Sequence, residues 1–111
     1  MLKKKYRLNK TKEFNKIWQL GRSGYGSSLG LKLLPNDLPY SRFAFLISKK
    51  VSKRAVVRNL LKRRLREIIK LDWLTLSGYD AVIIALPSAA NKSFAELRAE
   101  VQFLFKKLKV I

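Results

Sequence analysis

Ala81-Val82-Ile83-Ile84-Ala85-Leu86 is an unbroken run of six apolar residues, bounded by Gly78-Tyr79-Asp80 before it and Pro87 after it. A run this short, β-branched and closed by turn formers reads as a strand buried on both faces, hence one at the centre of a sheet. Working outward, Leu29, Leu31 and Leu33 alternate with Gly30, Lys32 and Leu34, the period-two pattern of a second strand whose register turns Lys32 away from the core. Pro35-Asn36-Asp37-Leu38-Pro39 punctuates the chain, and Arg42-Phe43-Ala44-Phe45-Leu46-Ile47-Ser48 reads as a third, largely buried strand. A hairpin between the second and third of these segments is the expected pairing.

Helices flank the strands. Thr11 as N-cap, Glu13 in the first turn and Gly21 as stop predict a helix over Lys12 to Leu20. Phe14 and Trp18 share one stripe of it, with Ile17 and Leu20 to one side, so one apolar flank can pack while the other faces outward. For Phe14 and Trp18, plain core and an exposed binding edge are both open readings at this point. Gly21 to Gly26 reads as a glycine-rich connection. Ser93-Phe94-Ala95-Glu96 fits a capping box opening a last helix that carries Leu97, Val101, Leu104 and Leu108.

The chain has 111 residues, which predicts one domain over 1–111, and no internal repeat is present. Apolar residues make up 48% of it, enough to exclude a disordered basic tail. Against 25 Lys and Arg stand seven Asp and Glu, a net charge of +18. A fold tolerates that self-repulsion when a polyanion normally neutralises it, and nucleic acid is the obvious one.

Neither cysteine nor histidine occurs. The commonest general base, the usual zinc ligands and the thiol and serine–histidine nucleophilic schemes are therefore excluded. The acids Glu13, Asp37, Glu67, Asp72, Asp80, Glu96 and Glu100 are scattered singly, never in a pattern that holds a metal. We therefore expect no catalytic residue and no metal ligand in the protein itself. Met1-Leu2-Lys3-Lys4-Lys5 is not followed by the apolar run of a signal peptide, and no stretch of 18 apolar residues occurs, so a cytoplasmic protein with no membrane partner is expected.

The charge is concentrated. Residues 49–70 carry ten of the 25 basic residues and a single acid, Glu67, half of the net charge. On a helix spanning roughly Lys53 to Leu71, Val57, Leu60, Leu61, Leu65, Ile68 and Leu71 fall within roughly 140° of arc, with Arg58, Lys62, Arg63, Arg66 and Lys70 opposite. Arg64 falls inside the apolar arc and must snorkel or pair. Ordinary surface helices mix signs to gain pairs four residues apart; stacking like charges is destabilising without a ligand. A membrane-surface helix would leave its apolar face free for lipid, whereas this one is needed for the core. A DNA-reading helix would follow a helical turn, whereas this one follows a strand, so DNA is not the expected partner. Composition alone does not separate the chain from a ribosomal protein.

Ser48-Lys49-Lys50 closing a strand, followed by Ala55-Val56-Val57-Arg58-Asn59-Leu60-Leu61-Lys62-Arg63-Arg64-Leu65-Arg66 on a helix, resembles the signature of the bacterial ribonuclease P protein component. Phe14, Trp18 and Gly21 fall where that family has its aromatic helix, and Asp80 to Ala85 is similar to its late strand. The resemblance covers essentially the whole chain. It implies an α+β fold: a compact α/β sandwich, helices packed on a mixed sheet, with a left-handed βαβ crossover (ribosomal protein S5 domain 2-like), which the general handedness rule would not predict.

The resemblance further implies a protein subunit that joins ribonuclease P RNA, the complex removing the 5′ leader of precursor tRNA with magnesium (Mg2+) held chiefly by the RNA. It assigns Lys53, Arg54, Arg58, Asn59, Lys62, Arg63 and Arg66 to the catalytic RNA, since guanidinium forks suit phosphate and Asn59 can bond a base edge or 2′-OH. It assigns Phe14, Trp18, Lys32, Ser48, Lys49 and Lys50 to the leader, with aromatic stacking tolerant of sequence. The chain departs from the family at Leu60, where Arg or Lys is usual, and at Leu86, where an arginine is usual.

Overall fold

The computed structural model describes residues 2–8 and 10–110; Met1, at the head of the basic start, lies outside them. Four strands make one sheet: β1 (Arg22–Tyr25), β2 (Leu29–Pro35), β3 (Arg42–Leu46) and β4 (Tyr79–Ala85), in the order β1-β2-β4-β3. As the apolar run predicts, β4 is central, with Ala81 and Ile83 buried on one face and Val82 on the other. It pairs antiparallel with β2 and parallel with β3.

That order overturns the expected hairpin between the second and third segments. A strand apolar on both faces needs a partner along each edge, and β4 takes both positions by inserting between β2 and β3. The 36–41 loop instead wraps the start of β4, where Asn36 N–H donates to Gly78 O at 2.7 Å and Tyr79 N–H donates to Ser41 Oγ at 3.1 Å. The hairpin that does form is β1–β2. Most of what reads as a glycine-rich connection is therefore an edge strand, and its polar, glycine-containing sequence hides it because an edge strand buries little.

The helices are α1 (Thr11–Leu20), α2 (Ala55–Asp72) and α3 (Phe94–Lys107). Thr11 takes the first helical position and Lys10 the cap, so the threonine does not cap the helix as expected. Gly21 does end it: a Cβ there would lie 2.5 Å from Ile17 O, so the chain leaves the helix only with glycine. The capping box at α3 is complete, Glu96 N–H donating to Ser93 Oγ and Ser93 N–H to Glu96 Oε1.

Helices cover both faces. On one, α2 and α3 bury Leu65, Ile68, Leu97 and Phe105 against Leu31, Leu33 and Ile83; truncating such a leucine to alanine costs about 2–5 kcal/mol. On the other, Ile17 of α1 packs with Leu8, Ala44 and Val82. Crossover α2 joins the parallel neighbours β3 and β4, completing a βαβ unit.

The apolar arc of α2 differs from the expected one. Leu61, Leu65, Ile68 and Ile69 are buried, whereas Leu60 and Leu71 are exposed. Because α2 also meets α3, the buried side rotates toward Ile69, and Leu60 and Leu71 swing out to solvent. Arg64 pairs as required, its Nη1 donating to Lys92 O at 3.5 Å, the outer limit for such a bond. No helix among the described residues is long and apolar enough to cross a membrane.

Candidate nucleic-acid interface

Ion pairs fix where α1 lies. Arg42 on β3 grips Asp80 on β4 with two parallel bonds, Nε to Oδ1 at 2.9 Å and Nη2 to Oδ2 at 2.7 Å, and its Nη1 reaches Glu13 of α1. Asn36 Nδ2 donates to the same Asp80 Oδ1 at 2.8 Å. The bonds to Asp80 hold the Arg42 guanidinium above its ordinary pKa, with Glu13 adding to the effect. One side of α1 is thereby pinned across the strands. Ile17 points at the sheet, so Phe14 and Trp18 lie on the opposite side from Glu13.

Those two aromatics border a strip of open sheet. Across the strands, Tyr25, Gly30, Ile84 and Leu46 are register partners on the face that α1 only partly covers. The neighbouring row is Ser23, Lys32, Val82 and Ala44. Trp18 is 46% exposed, and Lys32 Nζ sits 4.9 Å from its ring centroid, a cation–π contact. Phe14 is half-buried, packed against the small cluster of Leu8, Ile17, Ala44 and Val82. The two readings open for these aromatics thus resolve differently: Phe14 is part core, part cleft wall, and Trp18 is an exposed edge.

At the β3 edge the strip opens into a cleft of about 280 Å³ lined by Arg7, Phe14, Ala44, Phe45, Lys62 and Arg66, among others. Two cations of α2 and an aromatic of α1, from opposite faces of the sheet, therefore meet around its β3 edge. Leu8 N–H donates to Phe43 O at 2.9 Å, which brings Arg7 to the same place. Just beyond Leu46 lies the exposed Ser48-Lys49-Lys50 turn, with Lys50 N–H donating to Ser48 Oγ. Arg58 ties α2 to this turn region, Nη1 donating to Ser52 O at 2.9 Å.

The structure divides the seven basic-helix residues into two groups. Lys53, Arg54, Asn59 and Arg63 are exposed, the last two on the outer side of α2 with Leu60 and Lys70. Arg58, Lys62 and Arg66 are half-buried; Lys62 and Arg66 line the cleft at the β3 edge, and Arg58 lies one turn before Lys62 on the same flank of the helix. The residues Phe14, Trp18, Lys32 and Ser48 to Lys50 all fall along the open strip or at its β3 end. Arg7, Tyr25, Leu46 and Ile84 belong to the same surface and were not read from the sequence. Only the sheet order brings them there; the one local signal was Tyr25, an aromatic in an otherwise small, polar stretch.

Most of the acids are committed to structure. Besides Glu13 and Asp80, Asp72 takes two bonds from Arg98 at 2.7 and 2.6 Å, which hold its carboxyl below the ordinary range. Glu100 latches the β1–β2 turn by accepting from Ser28 N–H at 2.8 Å, from Leu29 N–H and from Ser27 Oγ. Among the described residues no three Asp or Glu side chains stand together as a metal site. What the surface offers chemically is cations and π faces, a surface suited to single-stranded or structured nucleic acid.

Comparison with known proteins agrees with that class. The Ribonuclease P family profile matches residues 2–109. A ribonuclease P protein component of Dehalococcoides mccartyi is 37% identical over 110 residues, covering 99% of this chain and 90% of that one. One from Cyanothece sp. is 33% identical, covering 100% and 98%. Among solved structures, the Staphylococcus aureus RNase P protein superposes with a TM-score of 0.86 at 26% identity over 95% of this chain and 96% of that one. The Thermotoga maritima RNase P protein gives 0.80 at 25% identity over 90% and 96%. The chain belongs to the ribonuclease P protein family, of bacterial type, whose place is in tRNA 5′ processing as part of a ribonucleoprotein nuclease.

Proposed function

We propose that this protein binds ribonuclease P RNA through the basic helix α2 and receives the single-stranded 5′ leader of precursor tRNA along the open strip beside α1. The RNA subunit carries the hydrolysis, with Mg2+ held chiefly by RNA, and the protein contributes binding and charge neutralisation. Lys53, Arg54, Asn59 and Arg63 face the catalytic RNA. Arg58, Lys62 and Arg66 stand at the junction of the two RNAs, their charges within reach of both backbones. Phe14, Trp18 and Lys32 wall the leader path, and Ser48, Lys49 and Lys50 take its phosphates where it passes β3. The complex works in the cytoplasm, with neither DNA nor membrane as partner.

The single observation carrying this reading is the meeting of Phe14 with Lys62 and Arg66 in one cleft at the β3 edge. Stacking faces and phosphate-binding cations are the two things a sequence-tolerant single-strand site needs. Cleavage of precursor tRNA at low Mg2+ by the cognate RNA, with and without the protein and beside the protein alone, tests it. Activity in the combined sample alone is expected. No stimulation returns the chain to a general structured-RNA binder, and cleavage by the protein alone overturns the division of labour.

A further inference from the structure

Tyr25 is 48% exposed at the end of β1, yet its ring is not loose. It lies across Gly30 of β2, its register partner, so closely that a Cβ on Gly30 would come within 2.6 Å of both Cδ1 and Cε1 of the ring. Glycine at 30 therefore does more than tolerate a strand, where it is normally a poor choice. It makes a shallow seat on which the tyrosine ring rests against the backbone with its other side toward solvent. The main chain at this point is held from behind, because Lys107 Nζ donates to Tyr25 O at 3.1 Å and Gly26 N–H donates to Leu29 O at 2.8 Å.

The seat has a definite place on the strip. Tyr25, Gly30, Ile84 and Leu46 form one row across all four strands, a span of about 14 Å from β1 to β3. Lys32, under Trp18, is two residues along β2 from Gly30, a step of about 7 Å on the same face. A strand of RNA entering between Phe14 and Lys62 at the β3 edge and following Leu46 and Ile84 past Trp18 meets the Tyr25 ring last.

We propose that Tyr25, seated on Gly30, is a base-stacking subsite at the far end of the leader path, and that it makes binding sensitive to leader length by one further nucleotide. Gly30 is its positioning residue. The inference rests on the leader reading above and deepens it. The ligand is a nucleotide base of any identity, because the ring offers a π face without hydrogen-bond readout.

The test is binding of a ladder of precursor tRNAs, their leaders growing one nucleotide at a time, to reconstituted holoenzyme carrying wild-type protein, Tyr25→Ala, Tyr25→Phe, Tyr25→Leu or Gly30→Ala. With wild type, affinity rises with leader length and then levels off. Tyr25→Ala and Tyr25→Leu lose the last rise, about 5- to 150-fold, while shorter leaders bind as in wild type. Tyr25→Phe keeps it, and Gly30→Ala loses it with an unchanged melting temperature; if Gly30→Ala does not fold, the contrast of Phe with Leu at 25 decides. Equal affinities of Tyr25→Ala and wild type at every length, or a uniform deficit that includes leaderless tRNA, overturns the subsite alone. A wild-type complex indifferent to leader length overturns the leader reading itself, and the subsite with it.

Discussion

Lys32 holds its ammonium 4.9 Å from the centroid of the Trp18 ring, so a cation of β2 and an aromatic of α1 that stand far apart in sequence act as one surface. The indole is engaged by the lysine charge while 46% of the residue stays exposed, so a π surface and a cation are offered side by side. Trp18→Ala is expected to weaken binding of leader-bearing precursor by about 1–3 kcal/mol while leaving mature tRNA unaffected. Equilibrium binding of both RNAs to the reconstituted complex checks this. Equal loss for both ligands would place the tryptophan outside the leader path.

The two sides of α2 are expected to separate experimentally. Arg63→Ala, on the outer side, weakens assembly with the catalytic RNA and lowers the salt slope of that binding by roughly 0.7 to 0.9 for each phosphate that is no longer neutralised. Lys62→Ala and Arg66→Ala, beside Phe14 in the cleft, additionally weaken precursor binding by the assembled complex. Titrations over a range of salt concentrations, first with catalytic RNA alone and then with precursor on the complex, distinguish the two effects. An Arg63→Ala slope equal to wild type would move the RNA-binding surface off the outer side.

Asp80 is buried and receives bonds from Arg42 and Asn36. Asp80→Ala leaves the part-exposed Arg42 guanidinium with Glu13 alone and costs about 1.5–3 kcal/mol, the range for hydrogen bonds to a charged group. Urea unfolding reads the loss. Because the same cluster pins α1, a milder Glu13→Gln exchange is expected to leave folding largely intact and to weaken leader binding more than assembly. Stability of Glu13→Gln equal to that of Asp80→Ala would show that the two ties are not separable.

Glu100 is a long-range latch, reaching from α3 to the backbone of the β1–β2 turn. Glu100→Ala leaves the Ser28 and Leu29 amides without their acceptor, at a cost of about 1–3 kcal/mol, and frees the edge strand. Faster amide exchange confined to residues 22–29 is the expected signature. Uniform exchange across the sheet would mean that the latch supports the whole fold.

Acid should remove part of the stability at two carboxylates on the surface. The Arg98 guanidinium holds Asp72 below the ordinary range through its hydrogen bonds, and the backbone N–H and then the hydroxyl of Ser93 do the same for Glu96. With folded pKa values below the unfolded ones, these contributions are complete above about pH 5 and are lost as pH falls through the folded values. The stability difference between wild type and Asp72→Asn, measured in urea from neutral pH downward, should therefore shrink below about pH 4. A difference that is constant with pH would mean the pair contributes packing and not charge.

Much of the fold could be read along the chain because it is dictated locally. The alternation of Leu29, Leu31 and Leu33, the apolar run in β4 and the Ser93–Glu96 box each follow from neighbours a few residues apart, and all three elements form as read. The expectation of a polyanion partner and the absence of cysteine and histidine likewise follow from residue counts, which no folding changes. Pairing was not legible. Which strands adjoin β4 depends on competition for its two edges, and β2 and β3 win them from opposite sides, leaving the edge strand β1 to complete the order.

The site shows the same division. Composition and spacing determined that the chain carries a cationic helix and a helix with two neighbouring aromatics, because charge and helical periodicity are properties of short segments. Tertiary structure alone decided that Lys62 and Arg66 meet Phe14, that Leu60 turns to solvent, and that Tyr25 rests on Gly30. Those relations depend on sheet order and on how far α2 rolls as it packs against α3, and both are settled by burial summed over the whole core.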